Sequence, residues 1–247
     1  MRPKAPKITK LISVDPNTVD LSYKIDPFLH LFPPGLNQSV EIRSEYDPVN
    51  QWKSLPILYI DTKNDLQDVN HTISGLYPYT LYTLRIRMRS AAANQTDPNE
   101  YRKFWSPYVE QTIRTTAAKP KEPPLTSLGS FEVENYDIQR RSVFVYWRQI
   151  EDHFRNGPNF KYVITEVVED GRQVPLVPNY VTKAYARFSN LRLTNYTFYV
   201  TSENDNGTAS ETASLFVPHY DQSKLLEYSQ YKNDATQFAF SFLLKKS

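Results

Sequence analysis

Apolar and polar residues alternate with a period of two in short runs along most of the chain. This pattern is typical of β-strands that bury one face and expose the other. Turn-forming residues separate the runs at the intervals expected for a β-sandwich. The side chains that we expect to line a core include Val143, Val145, Trp147, Tyr196, Phe198 and Val200.

Two sets of seven such runs follow one another along the sequence. The first set covers residues 8–14, 19–25, 39–46, 57–60, 69–74, 79–89 and 109–115. The second set covers residues 131–135, 142–149, 160–168, 173–177, 184–189, 196–202 and 210–217. The sequence therefore predicts an all-β fold in which one sandwich architecture is repeated in tandem.

A proline-rich stretch without large apolar side chains, TTAAKPKEPP, lies between the two sets and is typical of a linker. We accordingly predict a first module over residues 1–116, a linker over 117–124 and a second module over 125–218. In the remaining residues, 219–247, phenylalanines alternate with small or polar residues. This alternation indicates the start of a third, truncated module, and a disordered or helical tail is the alternative.

The composition narrows the possible functions. The chain contains no cysteine, which excludes disulfide bonds, Cys-ligated metal centres and a cysteine nucleophile. Only 6 of 247 residues are glycine, whereas proline and tyrosine number 18 each, and this balance favours strands bounded by proline turns. The 29 basic and 27 acidic side chains are dispersed, so the basic footprint of a nucleic-acid-binding protein is missing.

The sequence also lacks the spacing of residues that catalysis or metal binding requires. We interpret the four histidines, which lie far apart, as unrelated surface or turn residues: His30, His71, His153 and His219. We therefore expect no enzyme, no cofactor and no metal site. Because no apolar run approaches 18 residues and residues 1–14 lack an apolar centre, we expect neither a membrane span nor a signal peptide within this sequence.

The chain is rich in acceptor sequences for N-linked glycans. About two Asn-x-Ser/Thr sequences are expected by chance, and the sequence has them at Asn37, Asn70, Asn94, Asn195 and Asn206. This excess favours a secreted protein, although the missing cysteines alone would point to a reducing compartment. Accidental acceptor sequences in a cytosolic protein are the alternative.

Aromatic anchors recur at matching places in the two halves. The run L-x-P-x-T-x-Y over residues 76–82 ends in Tyr82, which we expect to form a tyrosine corner. Tyr196 opens the run Y-x-x-x-V-x-x-x-N-x-x-G, and Trp147 stands where a buried tryptophan is expected, with Tyr23 at its place in the first half. In order and spacing, both halves resemble fibronectin type III modules. The resemblance implies tandem immunoglobulin-like sandwiches.

The first half carries a further pattern. Arg85, Arg87 and Arg89 alternate with apolar residues, so their guanidinium groups project from one face of a strand, and the sequence W-S-P-Y-V follows at Trp105. This arrangement resembles the tryptophan–arginine ladder of class I cytokine receptors, in which a W-S-x-W-S stretch lies beside an arginine-bearing strand. Cation–π attraction of about 0.5–2 kcal/mol per pair stabilises such a stack. An ordinary solvated strand face with a stray tryptophan is the alternative.

The match to the ladder motif is incomplete. Ser106 corresponds to the first serine, but Tyr108 stands where the second tryptophan belongs and Val109 where the second serine belongs. We expect a shortened ladder with Trp105 and Tyr108 as its rungs. Trp52 also resembles a tryptophan in receptors of the interleukin-6 type, so the chain most resembles invertebrate receptors of that type.

The resemblance implies the extracellular part of a single-pass receptor, or a secreted form of it, that binds a helical cytokine. Such a receptor forms homodimers or heterodimers and acts upstream of JAK/STAT signalling, and the membrane would be reached only through segments absent from this chain. In the family, loops between strands two and three and between strands six and seven meet the cytokine. The candidate ligand contacts are therefore Phe28, Leu29, Leu31, Phe32 and Phe104.

Several alternatives stay open at this stage. An upstream module, or the sandwich that bears the loop, could cover these apolar side chains instead of a cytokine. The chain could also be a generic fibronectin type III adhesion or receptor-phosphatase ectodomain, a cytosolic structural protein or a soluble decoy receptor. In the resembled receptors the characteristic disulfides lie in a module upstream of the ladder, so we expect that the missing cysteines mark where the receptor has been cut.

Overall fold

The computed structural model describes residues 2–25, 32, 35–61, 68–93, 104–135 and 139–219. The chain divides into two compact units, Met1–Ala118 and Lys119–Ser247. Each unit is a β-sandwich of antiparallel strands, which confirms the all-β prediction. The expected third module lies outside the described residues, except for its first residue, His219.

The described residues of the first unit form eight strands: β1 (Lys7–Asp15), β2 (Thr18–Lys24), β3 (Gly35–Ser44), β4 (Lys53–Ser54), β5 (Leu58–Asp61), β6 (Asp68–Ile73), β7 (Leu81–Ser90) and β8 (Val109–Arg114). One sheet has the order β1-β2-β6, and the other has the order β4-β3-β7-β8, with β5 also paired to β3. The two sheets enclose the core because alternate side chains of their central strands are apolar. In β2, for example, Val19, Leu21 and Tyr23 are completely buried.

Strand β3 begins four residues earlier than the sequence pattern predicts. Its first residue, Gly35, packs against the backbone of β5, where a Cβ atom would lie 2.1 Å from the carbonyl oxygen of Ile60. Only glycine permits this close approach. The extra residues of β3 pair with β5 on one side and with the end of β7 on the other.

Up to residue 219, the described part of the second unit contains nine strands: β9 (Phe131–Asn135), β10 (Arg140–Tyr146), β11 (Lys161–Glu169), β12 (Arg172–Gln173), β13 (Tyr180–Val181), β14 (Tyr185–Arg192), β15 (Tyr196–Asn204), β16 (Gly207–Thr208) and β17 (Ala213–Val217). A short 3-10 turn spans Asp152–Phe154. One sheet has the order β13-β14-β10-β9, and the other has the order β12-β11-β15-β16, with β17 also paired to β15. All six residues that we expect in this core are buried.

Two strands of the second unit differ from the prediction. The run 173–177 forms only the short strand β12 and an irregular segment, because Pro175 lacks the N–H that a ladder hydrogen bond needs. The run 210–217 pairs only over β17, whereas β16 forms earlier as the second arm of a tight hairpin with β15. The core face of each predicted run is unaffected.

Candidate functional site

Strand β7 presents two kinds of side chain to opposite sides of its sheet. Leu84, Ile86 and Met88 are buried in the core of the first unit. The intervening arginines lie on the outer face, since successive side chains of a strand point in opposite directions. The regular alternation therefore builds a row of three guanidinium groups across the middle of the sheet.

Ser106 attaches the segment after the β7–β8 connection to the end of β7. Its backbone N–H donates to the carbonyl oxygen of Met88 at 2.7 Å, and its Oγ accepts from the backbone N–H of Met88 at 3.0 Å. The same hydroxyl donates to the carbonyl oxygen of Pro107 at 2.9 Å. These bonds hold Trp105 and Tyr108 over the arginine row, where Trp105 is only 2% exposed.

Seven planar side chains stack in alternation on this outer face, and we call them the arginine–aromatic stack. Their order is Arg43, Trp52, Arg85, Tyr108, Arg87, Trp105 and Arg89. The successive distances from guanidinium carbon to ring centroid are 4.9, 3.9, 4.2, 4.5, 4.5 and 5.2 Å. All lie within the range of about 6 Å in which a ring face attracts a cation.

The stack is longer than the shortened ladder that the sequence predicts. Trp52 and Arg43 add two members at one end, because β4 pairs with β3 and brings Trp52 over the outer face of that strand. The sequence offers a signal for Arg43, because Ser39, Glu41 and Arg43 are polar residues at every second position of β3 and therefore share one face of the strand. No local pattern shows that Trp52 lies between the guanidinium groups of two strands.

Glu41 is the acidic centre of the stack. This side chain lies opposite Arg85 in the register of β3 and β7, is largely buried, and forms an ion pair with Arg85. Its carboxylate also lies 3.9 Å from the guanidinium of Arg87 and accepts hydrogen bonds of 3.3 Å from the hydroxyl of Tyr108. Burial raises the pKa of Tyr108; Glu41 acts in the same direction, and Arg87 opposes it.

The far end of the stack is fixed by backbone contacts. Arg89 is 1% exposed and donates to the carbonyl oxygen of Ala93 at 3.3 Å. The carbonyl oxygen of Trp105 accepts a hydrogen bond from Arg2, near the start of the chain. The stack thus joins β3, β4, β7, the W-S turn and the N-terminal segment into one rigid face.

Each unit also contains a tyrosine whose hydroxyl caps an upstream turn. The hydroxyl of Tyr82 accepts from the backbone N–H of Tyr77 at 2.7 Å. The hydroxyl of Tyr196 accepts from the N–H of Arg192 at 3.2 Å and donates to Glu169 at 2.8 Å. Burial is the largest cause of the raised pKa of both phenols. These contacts have the geometry of tyrosine corners.

No protein-family model matches the chain. The crystal structure of chicken CNTN1 FN1-FN3 domains has a TM-score of 0.54 to the chain at 18% identity, covering 89% of this chain and 68% of that one. At this identity the likeness establishes the fold. A Drosophila melanogaster protein named cytokine receptor is 38% identical over 93 residues. The chain is a tandem of modules with the fibronectin type III fold, and a stretch of 93 residues is similar to the fly receptor.

The match to the fly protein is partial. It covers 38% of this chain and 6% of the length of the fly receptor. The match therefore does not extend to the activity and partners of the whole fly receptor. Among the residues that the structure describes, no helix is long and apolar enough to cross a membrane.

The ligand contacts expected from the sequence do not form one exposed group. Phe28, Leu29 and Leu31 lie outside the described residues. Phe32 is 6% exposed and belongs to the core of the first module, so its ring is not available to a ligand. For this residue the sandwich itself covers the apolar side chain, and the expectation of a ligand contact is wrong. Phe104 is half-buried beside Trp105.

The interpretation of the histidines as unrelated surface residues needs one correction. His71 lies in β6, half-buried, and its Nε2 shares a hydrogen bond of 2.9 Å with the hydroxyl of Tyr23. Burial lowers the pKa of His71, which favours the neutral ring that can accept from this hydroxyl. Tyr23 thereby gains a polar partner inside the core. In the described ranges, no three His, Cys, Asp or Glu side chains are grouped closely enough to hold a metal ion.

The second expected anchor, Trp147, is buried in the core of the second module. Its ring contacts Tyr162 edge-on at 5.6 Å between centroids, and its Nε1 donates to the carbonyl oxygen of Lys183 at 3.2 Å.

Four of the five predicted glycan acceptors lie in the described residues, and Asn94 lies outside them. Of these four, Asn70 and Asn206 are exposed, whereas Asn37 and Asn195 are half-buried.

Proposed function

We propose that the chain is the extracellular ligand-binding and spacer part of a class I cytokine receptor. In this role it binds a helical cytokine and positions receptor chains, as a homodimer or heterodimer, upstream of JAK/STAT signalling. The observation that carries the proposal is the arginine–aromatic stack, which uses seven planar side chains to stiffen one face of one module. A generic adhesion module of the same fold does not require such a stack.

The backbone beside the stack supports a binding role for the neighbouring loops. The N–H of Ala91, just after β7, donates to the carbonyl oxygen of Gly35, the first residue of β3, at 2.8 Å. The β2–β3 and β7–β8 connections therefore leave the sheet side by side. Arg89 and Trp105, the last pair of the stack, close the base of the β7–β8 connection. A rigid sheet that carries two adjacent loops is a common architecture for recognition.

The chemistry of the loop residues suits a helical ligand. Phe28, Leu29 and Leu31 give the β2–β3 connection an apolar sequence. Amphipathic helices are recognised mainly through a few apolar or aromatic anchors surrounded by polar contacts. We propose these three residues as anchors for the cytokine, together with the half-buried Phe104.

A binding survey tests the proposed function. The full 247-residue chain is secreted from insect cells, immobilised, and exposed to a panel of recombinant four-helix cytokines, with lysozyme as the control ligand. We expect saturable binding of at least one cytokine and none of lysozyme. Absence of binding across the panel, combined with aggregation of beads coated with the chain, would instead favour an adhesion ectodomain.

The same preparation separates a signalling part from a decoy. A decoy receptor added to the medium competes for cytokine and lowers the response of STAT-reporter cells that carry a complete receptor. If the chain is the ligand-binding part of a signalling receptor, we expect that fusing it to a membrane span and a kinase-binding tail restores a cytokine response. Competition without restored signalling favours the decoy form.

A further inference from the structure

The asparagines of two glycan acceptor sequences are exposed to solvent. Asn70 lies in β6, the edge strand of its sheet, and its side chain is exposed on the outer face. Asn206 lies at the tip of the tight β15–β16 hairpin and is also exposed. At the hairpin, the backbone N–H of Asn206 donates to Oδ1 of Asn204 at 2.8 Å, a bond that does not use the side-chain amide of Asn206.

Asn195 has different surroundings, although its sequence is an equally good acceptor. Its Nδ2 donates to the carboxylate of Asp170 at 2.9 Å, and its Oδ1 accepts from the backbone N–H of His219 at 2.8 Å. The backbone of Asn195 is bonded to Asp170 as well, through hydrogen bonds of 3.0 and 3.2 Å. Both ends of this amide are therefore engaged.

The bond to His219 has a structural purpose. Residues 218 and 219 follow β17, the last strand of the second module. The carbonyl oxygen of Pro218 accepts from the buried guanidinium of Arg141 at 2.9 Å, and the next N–H is held by Asn195. These two contacts, which we call the exit clamp, fix the direction in which the chain leaves the module.

We propose that N-linked glycans are attached at Asn70 and Asn206 and not at Asn195, whose amide instead forms part of the exit clamp. The proposal rests on the extracellular location proposed above. A glycan replaces one hydrogen of Nδ2 with a bulky, hydrated sugar, and the folded module must leave open space around that nitrogen. The Nδ2 atoms of the two exposed asparagines have this space, whereas Nδ2 of Asn195 faces Asp170.

Site-specific mass spectrometry tests this division. The full chain is recovered from the medium of insect cells, treated with peptide N-glycosidase in ¹⁸O-water and digested, so that each formerly glycosylated asparagine becomes labelled aspartate. We expect label at Asn70 and Asn206 and none at Asn195. Label at Asn195, or its absence from both Asn70 and Asn206 while another acceptor is labelled, overturns the proposal and leaves the extracellular location intact. Absence of label at every acceptor overturns both.

Matched variants separate modification from structure. Thr197→Val destroys the acceptor sequence but keeps the amide of Asn195, so we expect no change in gel mobility or melting temperature. Asn195→Ala removes the exit clamp and is expected to lower the melting temperature without a change in gel mobility. Asn206→Gln is expected to increase gel mobility by one glycan step and to leave the second module folded. An increase in mobility for Thr197→Val, or an unchanged melting temperature for Asn195→Ala, contradicts the proposal.

Discussion

At the residue scale, a few polar atoms determine whether the arginine–aromatic stack is stable. Cations of like charge repel each other, and the stack places Arg85 and Arg87 on opposite faces of one ring, that of Tyr108. The carboxylate of Glu41 offsets this repulsion because it contacts both arginines and the tyrosine hydroxyl. The sequence does not reveal this role of Glu41, because its partners lie 44 to 67 residues away along the chain.

Replacing Glu41 tests this role. Glu41→Gln keeps the size of the side chain but leaves Arg85 and Arg87 without a counter-charge. We expect the free energy of unfolding of the first module to fall by about 1–3 kcal/mol. The matched control is Glu45→Gln, which affects an exposed ion pair with Arg114 and is expected to cost about 0–1 kcal/mol. Urea unfolding followed by tryptophan fluorescence measures both, and equal losses would contradict the role of Glu41.

Phe32 provides a second test at this scale. Because its ring belongs to the core, we expect Phe32→Ser to destabilise the first module by about 3–5 kcal/mol, as large-to-small core substitutions do. Ile57→Ser, at a residue that is mostly exposed, is expected to have little effect on the melting temperature. A Phe32→Ser variant with the melting temperature of the unmodified chain would show that the ring is not part of the core.

At the scale of strands, the sequence predicts the structural features that depend on residues close together along the chain. It misses the features that depend on how strands pair with each other. The alternation of β7 identifies both its core face and its arginine row, since the two follow from a period of two. The position of Trp52 depends instead on how β4 pairs with β3, and register is set by long-range contacts that no single run encodes. The early start of β3 has the same origin, because it depends on the fit of Gly35 against β5.

The tyrosine corner of the second module gives a prediction at this scale. Tyr196→Phe keeps the buried ring but leaves the N–H of Arg192 and the carboxylate of Glu169 without the hydroxyl. We expect a loss of about 1–3 kcal/mol in the free energy of unfolding of the second module, the usual cost of breaking a half-buried hydrogen bond. Tyr180→Phe, at an exposed tyrosine of the same module, is the control and is expected to change it by less than about 0.5 kcal/mol. Similar losses in both variants, measured by urea unfolding, would argue against a capping role.

For the whole molecule, the buried tyrosines predict how stability depends on pH. Burial raises the pKa of Tyr23, Tyr82 and Tyr196 above the ordinary value of about 10. In the unfolded chain these phenols ionise near pH 10, whereas in the folded chain they stay protonated. Their contribution to stability is therefore complete below pH 10 and is lost as the pH rises through the folded pKa values.

An alkaline titration checks this prediction. We expect the phenolate absorbance of the folded chain to rise in two stages, with the exposed tyrosines first and the buried ones only as the chain unfolds. The urea midpoint should be constant near neutral pH and should fall above pH 10. A single titration of all tyrosines with a midpoint near 10, and no loss of stability, would contradict the burial of these hydroxyls.

Function is the property that the fold determines least, because fibronectin type III modules serve many purposes. The most direct test of the account is the equilibrium affinity of the chain for a four-helix cytokine that binds it, compared between Phe28→Ser and the control Ile57→Ser. We predict that Phe28→Ser weakens binding by about tenfold or more, as loss of an aromatic anchor does, with an unchanged melting temperature. Equal affinity of the two variants, or binding of no four-helix cytokine, would contradict the account.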